Sequence, residues 1–497
     1  MKRIFAFFCA VALLFTSVPA AAVSATEMDT VATDLIVVEP VTPELFPNQR
    51  PGDKAFRNPE TALEHNLPDG FVDYLKEHLG NCEKRFSIEQ FNFPYSRFEE
   101  LMYIIWNEIP ELFHVYTMGC SYYPDTGMIV EFVPVYMTYA YTEEQYKTCL
   151  DKMRAGAAYL LQGVKGNENL TDVEKALILH DRLAVWTEYD LEGMNSTTKN
   201  KIHTAYGPLG EGAAVCQGYA MAYMYLLEQV GIESDYCSSD TLNHGWNVVY
   251  IDGVAYHVDV TWDDPTNGSS ATYNDDYGQV YHRNFLRSTE GIQSTGHTAT
   301  DFNTTPNDSR YDSENETTWW MNSYTAVQLI NNKLYYMDMN DGIVCVDNNS
   351  TIYSVEGYTW LFKLSSVGNT LLLSTYNDLR AIDPATGVAT VIYTPENSYI
   401  EGMKYEKGKI HVQLNDGNGN SQRVSIDYAV SPEHSSGDLD GVPGVDEGDV
   451  IYLLQHILMP NDFAVTGNVD YDGSGAVDEA DVIYLLQHIL MPEEFPL

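Results

Sequence analysis

Three side chains in the middle of the chain, Cys216, His244 and Asp259, are of the types that nucleophilic acyl transfer requires. A thiol becomes a strong nucleophile when an imidazole takes its proton, and a carboxylate that fixes the imidazole tautomer completes the set. Cys216 follows a Gly-rich loop at 210–215 and opens an apolar run that Gly231 ends, which predicts a helix with the cysteine at or near its N-terminus. Free N–H groups and the helix dipole at such a position favour a thiolate, and could also hold an oxyanion.

The elements that must bring the other two together are legible downstream. Residues 245–251 and 254–260 read as strands joined by Asp252-Gly253, a strong two-residue hairpin signal. Pairing Ile251 with Val254 sets Asp259 opposite Trp246, and His244 lies two residues from Trp246 on the same face. His244 and Asp259 become diagonal neighbours, within reach of each other's side chains. His257 alternates onto the Asp259 face without belonging to a motif, and Cys237 reads as a small buried hydrophobe. Upstream, a helix over 172–186 starts after Thr171 as N-cap and carries Ala176, Leu179, Leu183 and Trp186 at helical spacing. A second helix is expected over 143–161, and strand character over 128–141.

Length and charge bound the rest. At 497 residues, the chain is expected to hold about two to four domains. With 71 acidic against 27 basic residues and a net charge of -44, nucleic acid and anionic membranes are unsuitable partners. Lys2 and Arg3, the apolar run 4–15 and the small residues 23–25 predict an export signal over 1–25 and a secreted protein. No later stretch reaches the roughly 20 apolar residues of a membrane span. Six cysteines remain after cleavage, too scattered for a CxxC metal site, with one or two disulfides left open. Residues 26–58 read as a linker or loose extension.

The stretches Tyr206-Gly-Pro-Leu-Gly-Glu-Gly-Ala-Ala-Val-Cys-Gln-Gly-Tyr-Ala220, Asn243-His-Gly-Trp-Asn-Val-Val249 and Tyr256-His-Val-Asp-Val-Thr-Trp-Asp263 resemble, in order, the bacterial transglutaminase-like cysteine-protease superfamily. The resemblance extends over about 59–300 and takes in Glu174-Lys-Ala-Leu-Ile-Leu-His-Asp-Arg182 and Tyr281-His-Arg-Asn-Phe-Leu286. It implies an α+β papain-like core in which Cys216 is the nucleophile, His244 the general base and acid, and Asp259 the orienting carboxylate. Trp246 and Trp262 are candidate walls of the substrate pocket. The implied reaction is attack of Cys216 on an amide carbonyl, departure of the amine, and resolution of the thioester by water or another amine. Hydrolysis of a peptide or related amide, without a catalytic cofactor, is the expected outcome. Protein crosslinking and a noncatalytic binding role are the alternatives.

Residues 317–430 change character to short aromatic and apolar strands between Asn, Asp and Gly turns. Leu334, Leu371 and Ile410 sit at equivalent places 37 and 39 residues apart, which predicts an antiparallel β-rich middle domain of three blade-like units. The C-terminal stretch 435–497 holds two identical dodecamers, 449–460 and 481–492, 32 residues apart, each after an Asp-rich loop. Asp438, Asp440, Asp446 and Asp449 fall at loop positions 1, 3, 9 and 12, and Asp470, Asp472, Ser474, Asp478 and Asp481 at 1, 3, 5, 9 and 12. This is the spacing of EF-hand-like calcium loops, with oxygen ligands throughout. The first loop departs from it with Val442 and Pro443. The paired units resemble type I dockerins, which implies a small helical module, structural calcium, and a cohesin of a scaffoldin as partner. The expected location is extracellular, at the cell surface or on a cellulosome. The whole is expected to be a multidomain protein of papain-like core, β-rich domain and dockerin.

Overall fold

The computed structural model describes residues 35–39, 67–191, 200–265, 278–355, 362–406, 408–428, 437–440, 445–460, 463, 465, 469, 471 and 477–490. The expected export signal lies outside them, as do Asp470, Asp472 and Ser474. Within them the protein is a multidomain α/β molecule with several antiparallel sheets. No helix among the described residues is long and apolar enough to cross a membrane.

The N-terminal part is a four-stranded sheet in the order β1 (Ile36–Val38), β3 (Val115–Tyr122), β4 (Ile129–Tyr136), β2 (Phe86–Ser87), with helices α1 (Phe71–Gly80) and α2 (Phe98–Asn107) contributing to its core. Part of the stretch expected to be loose is therefore ordered. Ile36, Val37 and Val38 are β-branched and pair with 120–122 at the sheet edge. Helices α3 (Glu143–Leu161) and α4 (Asp172–Trp186) both begin in capping boxes, Thr142 with Gln145 and Thr171 with Glu174.

The next segment frames the site. Two short strands, β5 (Glu188–Tyr189) and β6 (Ala213–Ala214), pair in parallel and lead into α5 (Cys216–Gln229). This helix is buried from Gln217 through Leu227, as expected of one enclosed on all sides. Strands β7 (Ser234–Ser239), β8 (His244–Ile251) and β9 (Val254–Val258) form an antiparallel sheet on it, and Asn247 Nδ2 donates to the Ala220 carbonyl at 3.0 Å. The turn is the expected one, with Asp252 at φ 51° and Gly253 at φ 73° and Ile251 opposite Val254. The second strand ends two residues earlier than its hydrophobicity suggests. Asp259 instead caps a one-turn helix, α6 (Val260–Asp263), and is followed further on by α7 (Thr289–Ser294).

Beyond it come three antiparallel meanders: β10 (Gln328–Ile330) to β13 (Ser350–Tyr353), through β11 (Lys333–Asp338) and β12 (Gly342–Cys345); β14 (Lys363–Val367) to β17 (Ala389–Tyr393), through β15 (Thr370–Ser374) and β16 (Leu379–Ile382); and β18 (Tyr399–Glu406), β19 (Lys409–Asn415), β20 (Ser421–Asp427). Each opens with a two-residue hairpin, closed by Ile330 with Lys333, Val367 with Thr370, and Glu406 with Lys409. Leu334, Leu371 and Ile410 follow those pairs directly, and all three are buried. Neighbouring sheets share apolar clusters, Met337 and Ile343 with Leu371, and Val367 and Leu372 with Met403 and Val412. The first sheet also enters the main core through Leu334 and Val344, together with Val327 just before it. Helices α8 (Glu447–Leu458) and α9 (Glu479–Leu490) pack on each other around Leu453, Val469 and Leu485.

Candidate active site

Cys216 occupies the first position of α5, after Val215 in extended conformation, and is half-buried. Cys82, Cys120, Cys149, Cys237 and Cys345 are buried, and none of the six described cysteines forms a disulfide with another. Burial pushes the Cys82 thiol up to about 11 and Cys120 up to about 12, so neither supplies thiolate near neutral pH.

His244 and Asp259 meet as the hairpin register suggests: Nε2 of His244 lies 2.6 Å from Oδ2 of Asp259. The Cys216 side chain is close enough to the same imidazole to help raise its proton affinity. With Nε2 turned to the carboxylate, Nδ1 is the nitrogen left for the thiol. Burial works against charge on His244, but Asp259 more than offsets it, and the imidazole is pushed up to about 10. Burial likewise opposes the Asp259 charge, yet His244 and His297 hold it below the usual carboxylate range.

Asp259 is fixed on every side. Its Oδ1 accepts from the Trp262 N–H at 3.2 Å, its own N–H donates to the Asn284 carbonyl at 3.1 Å, and His297 Nε2 reaches Oδ2 at 2.8 Å. His297 is fully buried, its Nδ1 has no hydrogen-bond partner, and the Trp262 ring lies over it at 3.9 Å. Sequence reasoning missed it: a single histidine in a loop, 38 residues past its partner, belongs to no period or motif.

Of the two tryptophans expected to wall a pocket, Trp246 does not. It is 1% exposed, and its Nε1 donates to His257 Nδ1 at 3.0 Å. Burial and His297 press His257 down to about 3, which keeps it the neutral acceptor that holds this ring in place. Trp262 does line a cleft of about 510 Å³, together with His244, Tyr189, Tyr281, Arg283 and Asn284. A larger cavity of about 620 Å³, lined by Arg182, Tyr405 and Tyr452 among others, includes none of Cys216, His244 and Asp259.

Beneath the cleft lies a buried network with no role in the sequence reading. Asp181 bridges His180 Nδ1 at 2.8 Å and His282 Nε2 at 3.0 Å, and accepts from the Val327 N–H at 2.7 Å. His180 Nε2 lies 3.4 Å from Asp263, whose carboxylate also accepts from the Asn284 N–H at 3.0 Å and its Nδ2 at 2.9 Å. Against burial, the two carboxylates push His180 up to about 9. The network ties the end of α6 to α4 and to the strand-bearing segment beyond 323.

At the C-terminus, carboxylate oxygens of Asp438, Asp440 and Asp449 converge within 4.8 Å, an all-oxygen set suited to a hard cation such as calcium. Burial, with the charge of Asp438, raises the Asp449 carboxyl to about 6 against the pull of three backbone N–H groups. Asp446 is placed otherwise: its Oδ1 caps α8 by accepting from the Gly448 N–H at 2.7 Å. Asp478 does the same for Ala480 at 2.9 Å, and Asp481 accepts from the N–H groups of Tyr471 and Asp478 much as Asp449 does in its own loop.

No protein-family model and no curated protein matches the chain. Among solved structures, a TGase is 16% identical with a TM-score of 0.21, over 30% of this chain and 46% of its own. A protein from Cytophaga hutchinsonii provisionally called a cysteine protease is 24% identical at TM-score 0.17, over 22% of this chain and 37% of its own. A computationally designed protein, Ika4, is 15% identical at TM-score 0.16, over 20% and 65%. The chain thus spans less than half of the first two, and these likenesses are weak and partial.

Proposed function

We propose that this chain is a secreted thiol enzyme that cleaves peptide or related amide bonds by acyl transfer, and that it docks on a scaffold through its C-terminal repeats. The observation that carries the catalytic reading is the His244 to Asp259 contact of 2.6 Å, with Cys216 at a helix N-terminus beside the same imidazole. In the proposed mechanism Cys216 passes its proton to His244 and attacks the carbonyl, while Asp259 sustains the imidazolium. His244 then protonates the leaving amine, and water resolves the thioester. The cleft lining of Thr261, Asn284 and Thr295 is polar, which favours water as acceptor over a dry amine channel.

Carboxamidomethylation by iodoacetamide tests the chemistry. Selective labelling of Cys216 is expected, and labelling no faster than at the buried thiols would rule out the enzyme reading. A peptide library offered with and without a primary amine separates hydrolysis from crosslinking: amine incorporation outpacing hydrolysis would overturn the preference for water.

Calcium, when bound, would supply a charge that gathers carboxylates and stiffens the loops before α8 and α9. Asp438, Asp440 and Asp449 would hold it in the first loop, and Asp470, Asp472, Ser474 and Asp481 in the second. The duplicated helix, near-identical in both copies, supports the reading as a dockerin whose partner is a cohesin. Cohesin binding that persists unchanged in chelator would refute it.

A further inference from the structure

Arg283 lines the cleft beside His244 and is exposed there. Its neighbours are pinned inward, His282 to Asp181 at 3.0 Å and Asn284 to Asp263 at 2.9 Å. The residue between them is thereby turned out into the cleft. Its guanidinium lies 4.5 Å from the centre of the Tyr281 ring, a contact that restrains the charge without neutralising it. Every other described arginine is ion-paired or, like Arg182, buried against backbone carbonyls. In a chain with 71 acidic and 27 basic residues, an arginine with no carboxylate partner among the described residues is the exception. The carboxylate that shares this lining, Asp264, is buried and accepts from the Tyr219 hydroxyl at 2.6 Å.

We propose that Arg283 binds a carboxylate of the acyl-donor substrate, so that the cleft selects acidic peptides. The proposal rests on the reading of this cleft as the site of thiol chemistry. The planar guanidinium fork matches a carboxylate with two parallel N–H donations, and the Tyr281 ring limits the side-chain freedom lost on binding. The net negative charge of the chain does not oppose this at contact range, because salt screens it beyond about 10 Å at 0.1 M. A side-chain carboxylate and a chain-terminal one present the same chemistry to Arg283, and the test separates them.

The full chain carrying Cys216→Ala is titrated with fluorescent pentapeptide mixtures bearing Glu, Gln or Lys at each position in turn, with free or amidated C-termini. Glu at one position is expected to bind about tenfold tighter than Gln. Arg283→Met should abolish that preference, Arg283→Lys should keep part of it, and Arg283→Glu should reverse it in favour of Lys. A preference that follows the free C-terminus instead assigns the terminal carboxylate as the ligand. Equal binding of all mixtures, or an acidic preference that survives Arg283→Glu, overturns the proposal. The thiol reading is judged separately by labelling of Cys216 in the wild-type chain. If that fails while the binding preference holds, the cleft is an acidic-peptide site without thiol chemistry.

Discussion

Replacing Asp259 by Asn keeps the size of the side chain and removes its charge, and the structure says how much this should matter. The rise of His244 from its ordinary 6.5 to about 10 corresponds to roughly 5 kcal/mol in favour of the imidazolium, set by Asp259 against burial. An amide cannot restore it. Oxygen at the Oδ2 position serves His244 and His297 but turns an NH2 toward the Trp262 N–H, and the flipped amide faces both imidazoles with donors. The thiolate and imidazolium pair should lose most of its support, and the rate of Cys216 carboxamidomethylation at pH 7, followed by mass spectrometry, should fall by about 10- to 1,000-fold. The sign with pH follows. Stability from the raised His244 is complete below the unfolded imidazole value of about 6.5 and is lost as pH rises through about 10. On the acid side it is lost as the depressed Asp259 carboxylate protonates. Stability of wild type to thermal unfolding should therefore weaken progressively between about pH 6.5 and 10, and the variant should show little of that slope. An alkylation rate within threefold of wild type, in a variant that still unfolds cooperatively, would refute the reasoning.

Other outcomes follow from the same geometry. His297→Ala removes one donor to Asp259 and should destabilise by about 1–3 kcal/mol in denaturant unfolding, while slowing Cys216 alkylation less than Asp259→Asn does. In chelator, the α8–α9 pair should lose roughly 3 kcal/mol as pH rises from about 4 through 6, because the folded Asp449 binds its proton more tightly than the unfolded one. Added calcium should cancel that loss in wild type, whereas Asp449→Ala should show neither the loss nor the calcium response, as read by melting temperature. A Cβ at Gly218 would run into the Ile202 carbonyl and come within 2.8 Å of the Ala214 Cβ. Gly218→Ala should therefore cost about 1–3 kcal/mol and reduce Cys216 labelling by displacing the first turn of α5.

The residues nearest one another in sequence were the most legible. A two-residue turn fixes register, so the His244 and Asp259 encounter follows from counting along one hairpin, and the capping boxes fix the starts of α3 and α4. Counting fails where the chain leaves the ladder. At Asp259 the side chain takes up an N-cap bond, which stops the strand at Val258, and hydrophobicity at 258–260 carries no trace of that. His297, Arg283 and the pairing of Asp181 with His282 depend on loops that return from tens of residues away, and their positions are set by tertiary packing. Trp246 departs from its expected place for a related reason: an aromatic two residues from His244 suggests a pocket wall, and only the fold turns its indole N–H inward to His257.

The bond from the Val327 N–H to Asp181 bears on how this chain could have been assembled. A gene fragment ending before Val327 would take one donor from the buried Asp181 carboxylate, leaving it only its His180 and His282 contacts, and would bare the apolar faces that Val327 and Leu334 cover. Such a fragment would be a poor unit of inheritance. Recombination would do less harm in the polar stretch at 431–436, where the terminal repeats would be exchanged at the cost of contacts such as that from Gln455 Nε2 to the Ala155 carbonyl, while the meanders and the cysteine-bearing core travel together.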